Sequence, residues 1–282
     1  MGTPNREQAA HWNSEAGAGH WITNQARHDR MLEPFMAPII DAAAIRSGDR
    51  VLDVGCGCGA TTRAAASRAA PAEVTGIDLS AAMLARASAD ARSAGLLNAS
   101  FIEGDAQVYP FERASFDVVI SRFGVMFFDD PLAAFTNLRR ATKSGGRLVF
   151  VCWQPMAANA WLLVPGAALA EHVPLPQPGS PDAPGMFALA DPDRVRAILA
   201  DAGWSRAEVI PERRSILVGG GGTVDQAVEF LRGGSMARSA LATADAPTER
   251  RALASLRSAL LPASDAEGVH LGAAVWLVRA VA

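Results

Sequence analysis

The stretch Val51-Leu52-Asp53-Val54-Gly55-Cys56-Gly57-Cys58-Gly59-Ala60-Thr61-Thr62 decides how this chain folds. It reads as a buried strand, a glycine-rich turn and the first turn of a helix. Glycines at alternate positions permit tight backbone conformations and let a ligand lie against bare main chain. The helix that follows aims its unpaired N–H groups back at the turn. Gly55-x-Gly57-x-x-Ala60 also fits the loose form of the dinucleotide fingerprint, so the turn alone does not choose between nucleotides. Asp53 argues against a pyrophosphate. It ends the strand two residues before Gly55, and a carboxylate facing the loop would repel a pyrophosphate and attract an ammonium or sulfonium group.

Further carboxylates follow at regular intervals. Asp78 closes the apolar run Val74-Thr75-Gly76-Ile77, where it can accept hydrogen bonds from both hydroxyls of a ribose. Asp105, in Phe101-Ile102-Glu103-Gly104-Asp105-Ala106, follows the third strand and can accept from an exocyclic amine such as adenine N6. Phe116-Asp117-Val118-Val119-Ile120-Ser121-Arg122-Phe123 is another strand running into the same rim.

The ordered set resembles the class I S-adenosylmethionine (SAM)-dependent methyltransferases, over about residues 45–153. That resemblance implies an α/β fold: a doubly wound, mostly parallel seven-stranded sheet with an antiparallel last strand, helices on both faces, and lid insertions. It implies SAM as cofactor, with Asp53, Gly55 and Gly57 at its methionine part, Asp78 at the ribose, Asp105 and Ala106 at the adenine, and the Ser121 backbone near the sulfonium. Trp21, Cys56, Leu79, Met83 and Gln107 complete the implied cofactor set. The chain is similar to the ubiquinone and menaquinone biosynthesis methyltransferases. Those carry a polar Arg-Asn stretch after strand four, where this chain has Gly124-Val125-Met126-Phe127-Phe128-Asp129-Asp130-Pro131, a departure on the acceptor side.

Composition narrows the rest. The 282 residues suit one large domain or a domain with insertions, and the 50% hydrophobic content supports a substantial core. The net charge is −3 and Lys143 is the only lysine, so no basic stripe invites nucleic acid. Three cysteines fit a reducing cytoplasm better than a disulfide framework. No signal peptide or membrane-spanning run is expected, and the chain is read as cytoplasmic, a monomer or homodimer. Cys56-x-Cys58 lacks His or Cys partners at ligand spacing, so no metal is expected.

Residues 1–45 form a helical leader, expected to act as a lid through Trp12 and Trp21. A helix over Ile22–Ala44 is expected to be kinked or split by Pro34 and Pro38. The SAM-binding core covers 46–153. Ser80, Asp130 and Asp191 are natural helix N-caps, and Gly145-Gly146 turns into a fifth strand over Arg147–Cys152. The Pro-rich insertion 154–188 is a second candidate lid, not expected to be regular for long. A further insertion, 219–268, opens on Gly219-Gly220-Gly221-Gly222. It lacks a Lys-Ser/Thr ending and reads as a turn followed by two amphipathic helices. The chain closes on the apolar strand Ala273–Val278.

For the acceptor, Trp12, Arg122, Met126, Phe127, Trp153 and Trp161 are candidate contacts, with Phe128 and Phe187 as further apolar walls. The structural alternative for each aromatic is plain core packing. His20, His172 and Arg122 are candidate catalytic residues, the histidines as bases and Arg122 as an anchor for an anionic acceptor. These features predict methyl transfer to a small, apolar or aromatic organic acceptor. A nicotinamide oxidoreductase would share the glycine turn but leave Asp53 and Asp105 without a role. A non-catalytic SAM-binding regulator would keep the cofactor residues and lack an acceptor pocket.

Overall fold

The computed structural model describes residues 5–176 and 183–282. A leader of short helices comes first: α1 (Arg6–Trp12), a π-turn over Glu15–Gly19, α2 (His20–Thr23), α3 (Gln25–Leu32) and α4 (Met36–Ala43). The expected long helix is split, with a 3-10 turn over Glu33–Phe35 at Pro34. The core then alternates β1 (Val51–Val54), α5 (Ala60–Ala69), β2 (Val74–Asp78), α6 (Ala81–Ser93), β3 (Ala99–Glu103), β4 (Phe116–Arg122), α7 (Pro131–Ala141) and β5 (Thr142–Trp153). After it come α8 (Ala160–Ala170), α9 (Pro192–Asp201), β6 (Ser205–Leu217), α10 (Val224–Gly233), α11 (Ser235–Leu241), α12 (Ala246–Leu260) and β7 (His270–Val281).

The seven strands form one sheet in the order β3-β2-β1-β4-β5-β7-β6. The pairs among β1 to β5 are parallel, and β7 runs antiparallel between β5 and β6. Strand order reverses between β1 and β4, the place where open α/β sheets bind ligands at the carboxyl ends of their strands. The caps expected from sequence are formed: Ser80, Asp130 and Asp191 accept from the backbone N–H groups of Met83, Ala133 and Asp193. Gly145-Gly146 does not delay β5. The strand starts at Thr142 and absorbs the glycines as a bulge, its register jumping between Phe116↔Thr142 and Val118↔Arg147.

The 154–188 insertion is regular only over a 3-10 turn at Met156–Ala158 and the three turns of α8, with Pro165 inside the helix; Pro178 and Pro181 lie outside the described residues. One expectation is corrected. The 219–268 insertion holds three helices rather than two, because Gly233-Gly234 breaks the first into α10 and α11. No described helix is long and apolar enough to cross a membrane.

The sheet's central seam depends on two glycines. A Cβ built on Gly55 would stand 2.6 Å from the Gly124 Cα, and the Gly55 φ of +65° already disfavours a side chain. The obstacle is backbone, so no rotamer relieves it. Gly55→Ala is therefore expected to lower stability by about 2–3 kcal/mol in urea unfolding. Gly95→Ala has a similar φ of +71° with nothing within 4 Å, and should cost only about 1 kcal/mol. Equal losses at both positions would refute the close-approach argument.

Candidate active site

At the carboxyl ends of β1 to β4 lies a cavity of about 480 Å³. The glycine turn gives it Gly55, Cys56 and Gly57, β2 and the loop after it give Asp78 and Leu79, and the loop after β3 gives Asp105 and Ala106. Met83 enters from α6. Trp12 and Trp21 of the leader, which pack near Cys58 and Met83, line the cavity too, with Met126, Phe127 and Phe128 after β4, and Trp153 and Trp161. Most residues singled out from sequence are thus brought together around one space.

Asp78 sits under the glycine turn. Its Oδ2 accepts from the Gly57 N–H at 2.8 Å and its Oδ1 from the Ser80 N–H at 2.9 Å. Burial pushes its carboxyl above the usual range, against the pull of those hydrogen bonds. Each oxygen keeps a lone pair for a further donor. Burial likewise pushes the Cys58 thiol up to about 12, so these thiols are inert small hydrophobes.

Four sequence candidates do not line the cavity. Asp53 is fully buried and crosses to α5, where the Thr62 hydroxyl donates to its Oδ2 at 2.6 Å. Burial raises its carboxyl to about 7, outweighing the Thr62 bond and the attraction of Arg122. It is a strand-to-helix tie, not the loop-facing anion expected. Ser121 is also buried: its hydroxyl donates to the Val54 carbonyl at 2.7 Å and accepts from the Gly124 N–H at 3.1 Å. Gln107 uses its side-chain oxygen on the Asp130 N–H at 2.9 Å. His172 lies between α8 and α12 with its Nε2 2.8 Å from the Ser255 hydroxyl, outside the cavity lining. Among the apolar walls, Phe187 packs into the core instead of lining the cavity.

His20 does line the cavity. Burial, helped by Arg238, lowers its pKa, which keeps its imidazole neutral at neutral pH. Beside it stands His28, a residue that sequence reasoning did not single out for the site. Its ring stacks on Trp21 at 4.1 Å and meets Phe230 edge-on at 5.0 Å. Burial, then the neighbouring His20, Arg27 and Arg122, lower it to about 3, so it too is neutral. Arg122 lines the cavity with its Nη2 donating to Asp29 Oδ1 at 3.2 Å. The other missed wall comes from α10 and α11: Phe230, Leu231, Met236 and Arg238. No motif marks them, because their place depends on how the insertion folds back.

A model of the methyltransferase domain matches residues 51–146. An uncharacterized protein of Mycobacterium tuberculosis is 37% identical over 127 residues, 45% of each chain, so this chain spans under half the length of such relatives. The aklanonic acid methyltransferase DauC of a Streptomyces species is 32% identical over 162 residues, 54% of this chain and 74% of that protein. The crystal structure of the YcgJ protein of Bacillus subtilis superposes with a TM-score of 0.60 at 19% identity, covering 88% of this chain and 98% of that one; it shares the fold. The chain belongs to the class I SAM-dependent methyltransferases. SAM is accordingly its cofactor, and the residues present fit it: the Gly55–Gly124 approach leaves bare backbone at the turn, and Asp105 keeps a buried, unpartnered Oδ2 at the cavity's edge.

The Asp53 value carries a pH dependence. A carboxyl raised on folding contributes stability that is complete below its ordinary value near 4 and is lost as pH rises through about 7. Relative to Asp53→Asn, the wild-type protein should therefore lose roughly 1.4 kcal/mol of stability per pH unit across that window. Urea unfolding of both proteins between pH 4.5 and 8 reads the difference directly. A constant difference would show that Asp53 is not perturbed.

Proposed function

We propose that this chain moves the methyl group of SAM onto a small, apolar or aromatic organic acceptor by in-line displacement. The observation that carries the reading is the continuity of the cavity: one space runs from the glycine turn and the Asp78 and Asp105 carboxylates to an aromatic wall of Trp12, Trp21, Phe127, Trp153 and Trp161. Its volume lies within the range of about 300–1,000 Å³ usual for small-molecule sites. When bound, SAM supplies an electrophilic methyl group carried on a sulfonium.

The protein's own task is to align the acceptor and keep water out. Alignment of this kind is worth on the order of 7–11 kcal/mol of barrier. In this reading Asp78 holds the ribose, Asp105 and Ala106 the adenine, and Gly55, Cys56 and Gly57 the methionine part, while Leu79, Met83 and Trp21 cover the cofactor. Asp53, Ser121 and Gln107 act one step back, fixing α5, Gly124 and the loop after β3. Arg122, with one side-chain partner among the described residues, orients an anionic group of the acceptor. The relative DauC is named for an acid, which agrees with that role. His20, neutral and beside the cavity, takes a proton if the acceptor must lose one as it attacks. Residues 1–45 act as a lid over cofactor and acceptor; the 154–188 and 219–268 insertions complete the acceptor wall. A cytoplasmic monomer or homodimer acting on a free small molecule, with no nucleic-acid partner, accords with the buried, unpaired cysteines and the charge balance.

The test is to incubate the protein with methyl-labelled SAM and a small-molecule extract of its source cells, following the label by mass spectrometry. The expected result is label in one low-mass product whose fragments locate the accepting atom. Label in protein or nucleic acid, or none moving while the cofactor binds, would overturn the proposal.

A further inference from the structure

Asn5 lies some fifty residues before the glycine turn and belongs to no motif, yet it is 4% exposed and lines the same cavity as Asp105. Its side-chain Nδ2 donates to Asp105 Oδ1 at 2.9 Å, and its Oδ1 accepts from the Asp129 N–H at 2.6 Å. Its φ of +51° is left-handed, a conformation that asparagine adopts more readily than most residues, and it immediately precedes α1. One asparagine thus joins the leader to the loops after β3 and β4.

Those contacts divide the labour of the Asp105 carboxylate. Oδ1 carries two donors, Asn5 Nδ2 and the Gln107 N–H at 3.0 Å. Oδ2 is buried and has no partner among the described residues. A buried carboxylate oxygen without a donor is costly, so this arrangement calls for an N–H from a ligand in the cavity. An exocyclic amine offers one.

We propose that Asn5 is the positioning residue for adenine recognition: it holds Asp105 by one oxygen, presents the other to the exocyclic amine, and through that bond couples closure of the leader to the adenine. This rests on Asp105 contacting adenine, as proposed above. Asn13 Nδ2, which donates to the Leu79 carbonyl at 2.9 Å, and Gln25 Nε2, which donates to Asp90 at 2.9 Å, fasten the leader farther along. Neither touches Asp105, so among the described residues the Asn5 bond is what ties the leader to the Asp105 carboxylate. Coupling of this kind is reciprocal: a closed leader strengthens selection of the amine, and the amine favours the closed leader.

The test compares two probes by calorimetry: S-adenosylhomocysteine and S-inosylhomocysteine, which carries a carbonyl oxygen in place of the amine. The wild-type protein should prefer the adenosyl compound by more than about tenfold, since a site built for a donor rejects an acceptor there. Asn5→Gly keeps the left-handed backbone but frees Asp105 and opens the leader to water. The preference should then fall to within about threefold. Asn5→Asp is the second variant, covering the case in which Asn5→Gly does not fold. Its side chain has no N–H to give to Asp105 Oδ1, so the preference should fall to within about threefold here as well. A merely structural role for Asn5 would weaken both probes alike and leave their ratio unchanged, which would overturn the proposal. If the wild-type protein itself does not discriminate, the adenine reading of Asp105 fails, and this inference with it.

Discussion

The backbones of Gly55 and Gly124 meet so closely that neither position has room for a Cβ. This contact sets the distance between the end of β1 and the end of β4, the two central strands at which strand order reverses. Ser121 stitches the same seam with its hydroxyl, donating to Val54 and accepting from Gly124. Asp53, one residue before Val54, ties β1 to α5 through Thr62. Around this seam the turn over Gly55–Gly57 is fixed, and with it the backbone N–H that holds Asp78. The cofactor end of the cavity is rigid because its supports are buried hydrogen bonds within the sheet and its first helix.

The acceptor end is built differently. Its walls come from the leader, from the segment after β4, and from α8, α10 and α11, joined largely by ring contacts such as Trp12 with Phe127 and Trp153 with Trp161. Its polar groups are sparse, and two of them, His20 and His28, are held neutral by burial. Among the described residues, the one side-chain ion pair between cavity-lining residues, Arg122 with Asp29, joins the leader to β4. One half of the cavity thus has a fixed polar lining suited to one constant cofactor. The other half has an apolar lining carried on insertions, which a family can exchange to change its acceptor.

The glycine turn, the acidic strand ends and the helix caps were legible in the sequence because each is a local rule: a positive φ, a carboxylate at a strand end, a side chain over an N-terminus. Asp53 shows where local rules stop. Its place before the glycines suggests a loop-facing anion, but strand alternation turns its side chain toward α5, and burial there outweighs its charge. Strand β6 escaped notice for a related reason: it is an edge strand, and Glu208, Glu212, Arg213 and Arg214 blur its apolar alternation. His172 read as a candidate because a histidine in a lid is chemically suggestive; its partner, Ser255, lies 83 residues away, and only the packing of α8 on α12 reveals the pair. Asn5, His28 and Phe230 likewise become visible only once the leader and the last insertion are folded onto the cavity.

The most direct test of this account is a crystal structure of the protein with S-adenosylhomocysteine. The account predicts the ribose hydroxyls on Asp78, the adenine amine on Asp105 Oδ2 beneath Asn5, and the homocysteine sulfur aimed past Gly55–Gly57 at the space between Phe127, Trp153 and Arg122. A ligand that reached the sheet from another side, or lay with its base away from Asp105, would contradict it.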